Sequence, residues 1–136
     1  MKRIDRIIAE CEGKVCDEEL DRAKNELSGK PWKQILKHPD APYWACWYSK
    51  HVLKCRFHAG EKSIATDPGY SYLYSRYVIK VRFPAGEDAI ATDPDYSYSY
   101  AMDVIKKRFR AGEEAIATDP YYSIEYQKLI ERERTQ

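Results

Sequence analysis

Apolar residues recur along this chain at helical spacing. At about 100° per residue, Tyr70, Tyr74, Val78 and Val81 fall on one stripe, repeated by Tyr96, Tyr100 and Val104 and again by Tyr122, Tyr126 and Ile130. A second stripe, nearly opposite, carries Tyr72, Ile79 and Phe83, with Tyr98, Ile105 and Phe109 in the following copy. A helix apolar on two faces needs a neighbour on each side, which is the requirement of a stacked array. In the last copy Glu131 stands where the others have Ile79 and Ile105, and Thr135 where they have Phe83 and Phe109. That copy is expected to lack a neighbour on its second face.

The copies are long and regular. From Arg56 the chain reads RFHAGEKSIATDPGYSYLYSRYVIKV, from Arg82 RFPAGEDAIATDPDYSYSYAMDVIKK, and from Arg108 RFRAGEEAIATDPYYSIEYQKLIERE, at a constant spacing of 26 residues. A divergent copy precedes them, because Ile35 to Phe57 matches Ile64 to Phe83 once three residues are inserted after Pro39. Each copy divides into two helices. Thr66-Asp67-Pro68, Thr92-Asp93-Pro94 and Thr118-Asp119-Pro120 set an N-capping Asp before a Pro at the first helical position, where its missing N–H is not needed. Upstream, Gly60-Glu61, Gly86-Glu87 and Gly112-Glu113 are expected to open a short helix with an acid in its first turn. The reading is a helix of about two turns followed by one of about four.

Residues 1–30 lie outside the repeat. Lys2 to Glu12 and Asp17 to Leu27 read as amphipathic helices broken at Gly13, with Gly29 and Pro31 as the stop. The expected fold is all-α, an α-solenoid of about four stacked helical hairpins of 26-residue period with an N-terminal helical cap. The 136 residues then form a single domain, with 1–30 as the cap, 31–57 as the divergent repeat, and 58–83, 84–109 and 110–136 as regular repeats.

Composition narrows the function classes only slightly. The chain carries 23 Lys and Arg against 22 Asp and Glu, so any electrostatic preference is local. The charged N-terminus lacks the apolar run of a signal peptide, and no later stretch approaches the length of a membrane span, so a cytoplasmic location is expected. Cys46 and Cys55 fall within one predicted helix, about 13 Å apart along its axis at ~1.5 Å per residue, and all four cysteines, with Cys11 and Cys16, read as reduced thiols.

The units resemble the short helical repeats, close to Arg-Phe-Pro-x-Gly-Glu-x-x-Ile, Asp-Pro, Tyr-Ala and Val-Ile-Lys, found in uncharacterised proteins of tailed bacteriophages and large viruses. The match is good over 56–136, loose over 31–55 and absent from 1–30. The resemblance implies a viral origin, the host cytoplasm and an α-solenoid; it carries no activity and no catalytic residue.

Four residue sets are candidates for chemistry. Cys46, His51, Cys55 and His58 lie close in sequence, but their spacing departs from structural zinc sites, so no metal or cofactor is expected. The aromatic cluster Tyr43, Trp44, Trp47 and Tyr48 in the divergent unit is a candidate binding platform, whereas the regular tyrosines read as helix packing. Lys54, Lys80, Lys106 and Arg132 hold one register 26 residues apart and form a candidate basic ladder, for which dipole-complementing surface lysines are the plainer account. Arg56, Arg82 and Arg108 are set to pair with Glu61, Glu87 and Glu113 as a repeated structural bridge.

No phosphate loop, nucleophile elbow or metalloprotease motif occurs, and no enzyme is expected. The leading expectation is a non-enzymatic repeat protein that binds a macromolecule, a host protein if phage-encoded. The alternatives are nucleic-acid or nucleotide binding through the ladder, and structural self-association. The helix parse predicts that Asp93→Ala costs about 1 kcal/mol of stability whereas Pro94→Ala is mild. Denaturant titration of both variants checks it, and equal, negligible effects would contradict the assignment.

Overall fold

The computed structural model describes residues 8–9, 17–27 and 32–135, and among them all regular structure is helical. Helix α1 spans Asp17–Leu27, followed by a 3₁₀ turn, Trp32–Lys37. Three pairs of helices come next: α2 (Ala41–Tyr48) with α3 (His58–Ile64), α4 (Pro68–Leu73) with α5 (Pro84–Ile90), and α6 (Pro94–Tyr100) with α7 (Glu113–Ile116). Helix α8 (Pro120–Arg134) is the last. Of the expected first helix, Ile8 and Ala9 are helical; the rest of Lys2 to Glu12, with Cys11, Gly13, Cys16, Gly29 and Pro31, lies outside the described residues.

The Asp-Pro steps start helices as their chemistry requires. Asp67 accepts from the Tyr70 backbone N–H at 2.8 Å, Asp93 from Tyr96 at 2.9 Å, and Asp119 from Tyr121 and Tyr122 at 2.9 and 3.2 Å. The short helices begin earlier than the Gly-Glu signal indicates. Pro84 is the first residue of α5, so Gly86 lies inside it, and the corresponding turn of the last regular unit is a 3₁₀ turn, Arg110–Gly112, leading into α7.

The long helices end differently from the expected four turns. Helices α2, α4 and α6 widen into π turns, Ser49–Leu53, Tyr74–Ile79 and Ala101–Ile105, and each stops at a lysine in the left-handed region: Lys54 at φ 55°, Lys80 at 58° and Lys106 at 60°. Helix α8 has neither feature and runs on through Arg132. Phe83 and Phe109, expected on the long helix, therefore lie beyond its end as the residues before the short helices, and Val81 is more than half exposed.

Those phenylalanines join successive units. Phe57, Phe83 and Phe109 are buried, and each ring packs against a tyrosine of the preceding long helix, Tyr48, Tyr74 or Tyr100, at a centroid distance of 5.1 Å. Their backbone N–H groups donate to tyrosine hydroxyls of the following long helix: Phe57 to Tyr74 at 2.8 Å, Phe83 to Tyr100 at 2.8 Å and Phe109 to Tyr126 at 2.9 Å. Buried Ser71 and Ser97 donate to the carbonyls of Ile64 and Ile90 in the short helices before them.

The core runs along the chain as three groups. Ile8, Leu20, Ala23, Ile35, Trp44 and Trp47 seat α1 on the divergent unit. Ala45, Cys46, Phe57, Ile64, Tyr74 and Phe83 fill the middle. Tyr72, Ile90, Tyr100, Phe109, Ile116 and Tyr126 belong to the last group, which also holds Leu129 and Ile130. At ~25 cal/mol per Å² of apolar surface removed from water, these residues supply the main driving force.

Close approach at each junction calls for glycine. A Cβ on Gly86 would sit 2.6 Å from Ser71 Oγ and 2.7 Å from the Phe83 ring, and one on Gly112 would meet Ser97 and Phe109 at 2.7 Å. Gly86→Ala is expected to destabilise by about 1–2 kcal/mol, because overpacking outweighs the gain in helix propensity. Thermal unfolding checks this, and an unchanged or raised Tm would contradict the contact.

Candidate binding surface on the long helices

The repeated arginines, glutamates and buried tyrosines are engaged with one another at the junctions between helices. Arg56 Nε meets Glu61 at 2.7 Å, Arg82 Nη2 meets Glu87 at 2.8 Å and Arg108 Nε meets Glu113 at 2.8 Å, the pairing expected from the sequence. Tyr74 and Tyr100 hydroxyls donate to Glu61 and Glu87 at 2.6 and 2.7 Å while accepting the phenylalanine N–H groups. Burial opposes ionisation of Glu61 and Glu87, yet the hydrogen bonds from arginine and tyrosine outweigh it and hold both carboxyls below the usual range. Burial, then the adjacent glutamate, raises the tyrosines.

The lysine ladder is a set of helix ends. Lys54, Lys80 and Lys106 are exposed, each at the left-handed residue that closes a π turn, whereas Arg132 occupies the same register within an uninterrupted helix. The one-face arrangement expected for all four is thus corrected to three equivalent lysines and a different arginine. Lys80 and Lys106 border one groove of about 350 Å³ with Arg76 and Asp103. Arg76 pairs with Asp103 at 3.0 Å and donates to Tyr72 at 2.6 Å, and Tyr72 in turn donates to Asp103 at 2.6 Å. Burial, aided by Asp103, pushes the Tyr72 hydroxyl up to about 12. A second groove, about 420 Å³, is bordered by Lys128, Glu131, Arg132 and Thr135.

The aromatic cluster is largely closed. Trp44 is fully buried and Trp47 is 3% exposed, with Tyr43 and Tyr48 half-buried. The four residues as a group are therefore core rather than an open stacking platform, because α1 covers them. Trp44 donates to Glu26 at 3.0 Å, and Arg22 bridges Glu26 and Asp40 beside the Tyr43 ring.

Cys46 is buried and Cys55 exposed, neither in a disulfide, and burial pushes the Cys46 thiol up to about 11. Cys55 lies past the π turn, off the helix that was expected to carry it. Among the described residues no three His, Cys, Asp or Glu side chains converge as metal ligands, and no helix is long and apolar enough to cross a membrane.

What sequence reasoning missed is the exposed side of α4. Tyr77 is 47% exposed and Leu73 36%, and Lys50 and Arg76 approach the Tyr77 ring at 5.4 and 4.9 Å. Their non-repetition was the available signal. No family model, no curated protein and no solved structure matches this chain.

The depressed carboxyls tie stability to pH. Glu61 and Glu87 titrate lower in the folded chain than their ordinary value of 4.5, so their contribution is present above that value and disappears as pH falls through the folded one. Stability is expected to drop on acidification below about pH 4.5. Glu87→Gln should be less stable at pH 7 and show a shallower acid dependence, as urea midpoints across pH would reveal. A slope identical to that of the unaltered chain would contradict the linkage.

Proposed function

We propose that the chain is a non-enzymatic α-solenoid, with residues 1–30 as its cap and about four 26-residue units, whose function is to bind a macromolecule through the exposed side of its long helices. The observation that carries this reading is where the units differ. Residues shared between units, such as Phe83, Gly86, Glu87, Ile90 and Tyr100, are buried or half-buried and hold the helices together. Several of the positions that vary face outward: Leu73, Ser99 and Glu125 are equivalent, as are Arg76, Met102 and Lys128, and as are Tyr77, Asp103 and Leu129. Of these, Leu73, Arg76, Tyr77, Asp103 and Lys128 are exposed, Ser99, Met102 and Glu125 half-exposed, and Leu129 is buried in the last core group. A scaffold built by repetition presents its individuality on such a face.

A protein partner fits the mixture of Tyr77 and Leu73 with charges of both signs, since aromatic and arginine side chains dominate protein interfaces. The resemblance to phage repeats makes a host protein the expected partner. The groove between Lys80 and Lys106 supports a second reading, nucleic-acid binding, because two lysines and Arg76 lie together there against one Asp103. Helix C-termini weigh against it, since their carbonyls already repel phosphate.

Two double variants separate the readings. Leu73→Ser with Tyr77→Ser alters the varied face. Lys80→Gly with Lys106→Gly removes the ladder while relieving left-handed strain, so that the fold is kept. Capture from host lysate, read by mass spectrometry, is expected to yield a partner that the first variant loses and the second retains. Retention by the first variant, with salt-sensitive oligonucleotide binding abolished in the second, would transfer the function to nucleic acid.

A further inference from the structure

Successive long helices meet by one repeated rule. The Tyr72 ring packs on Tyr96 at 5.8 Å and Tyr98 on Tyr122 at 5.1 Å. A turn further on, Lys50 lies 5.4 Å from the Tyr77 ring, and Arg76 pairs with Asp103 at 3.0 Å. These partners are separated by nearly the repeat length, so neighbouring long helices run in the same direction with equivalent turns side by side. Helix α8 carries the same face with no helix upon it. Ile124 is equivalent to Tyr72 and Tyr98, and Lys128 to Arg76, yet Ile124 is 61% exposed where Tyr72 is 6%. Tyr121, one turn before it, is 65% exposed. Thr135 stands where Phe83 and Phe109 lead into the next short helix, so the joint that would lay a further long helix over this face is missing.

We propose that this face binds a second copy of the chain: two α8 helices pack in parallel about a two-fold axis, Ile124 against Ile124 and Lys128 of each copy against Glu131 of the other. At about 100° per residue, Tyr121, Ile124, Lys128, Glu131 and Thr135 fall within an arc of about 80°, opposite the buried Tyr126, Leu129 and Ile130. Continuity supplies the geometry, since the pairing copies the one already made between neighbouring units. The apolar centre supplies the attraction, because Tyr121 and Ile124 are the most exposed large apolar side chains among the described residues. Charge selects the occupant. Lys128 is paired along its own helix with Glu125 at 2.9 Å, and Glu131 has no basic partner among the described residues. A parallel two-fold sets Lys128 and Glu131, one turn apart on each helix, across from each other twice. A partner of a single sign would leave one of the two opposed, whereas a second copy matches both. The chain's net charge of +1 adds little repulsion between copies. One helix face per copy is a small interface, so the dissociation constant is expected on the order of 100 µM. The contact uses neither Leu73 nor Tyr77 and stands apart from the partner-binding reading.

Sedimentation equilibrium of the full chain, from roughly 10 µM to 1 mM, is expected to show monomers in exchange with dimers and nothing larger, as a closed two-fold contact requires. Ile124→Glu should weaken the dimer at least about tenfold, because both copies lose the apolar centre. Lys128→Glu and Glu131→Lys should each weaken it about fivefold, since both cross-pairs become like-charge contacts. An equal mixture of those two charge variants should recover the affinity of the unaltered chain, because each supplies the charge that the other lacks. The replaced side chains are exposed, so each variant keeps the fold. A chain that stays monomeric throughout, association that continues past two copies, a dimer indifferent to Ile124→Glu, or a mixture no tighter than its separate variants would overturn the proposal, the first by leaving this face to a different protein.

Discussion

The phenylalanine at the start of each short helix is the constraint from which the described structure follows. Its ring is held by a tyrosine of the helix before it and its backbone N–H by a tyrosine hydroxyl of the helix after it, so one residue couples two consecutive long helices. A buried backbone N–H cannot be left without an acceptor, and in each regular unit the tyrosine hydroxyl 17 residues on provides it. In two junctions the same hydroxyl donates to the glutamate that its arginine clamps. The ring has room only because the third residue after each phenylalanine is glycine. Arginine, phenylalanine, glycine, glutamate and tyrosine recur together because they make one joint.

That joint also accounts for the unusual helix ends. To carry the phenylalanine from the long helix back between its neighbours, the chain must reverse sharply, and a π turn followed by a left-handed residue does so in three successive units. Ser49 and Ser75 donate to the carbonyls three residues earlier, which loosens the helical ladder locally. Ala101 stands at the same position in the third unit and the π turn persists, so the serine assists the widening without causing it. Helix α8 carries the same register of residues but no buried phenylalanine follows it, and it continues as an ordinary α-helix.

With the shared arginines, glutamates and tyrosines engaged in these joints, the side chains that do not repeat are the ones through which we propose that the chain binds a partner. The divergent unit is the extreme case. Its two indoles replace the tyrosine and the leucine, serine or glutamate found elsewhere, one satisfied by Glu26 and the other lining a recess. Its covering helix α1, seated by Leu20 and Ala23, turns an aromatic cluster that looked like a surface into interior.

Much of the local structure was legible because its causes are local. Asp-Pro fixes a cap and a first-turn φ without reference to anything distant, and the tyrosine stripe follows from helical geometry alone; so the starts of the long helices, the buried tyrosines and the arginine–glutamate pairs could be read from spacing. The helix ends could not. Lys80 and Arg132 share a register, yet one closes a helix in the left-handed region and the other sits inside a continuous one, because only the packed phenylalanine beyond Lys80 forces the chain to turn. Likewise only the packing decides that Trp44 finds Glu26 while Trp47 finds no acceptor among the described residues. The sequence by itself determined where the long helices begin and which of their tyrosines are buried, since a cap and a helical face depend on neighbours along the chain. The tertiary structure alone decided how they end and which polar groups are left over, since those depend on what another helix places beside them.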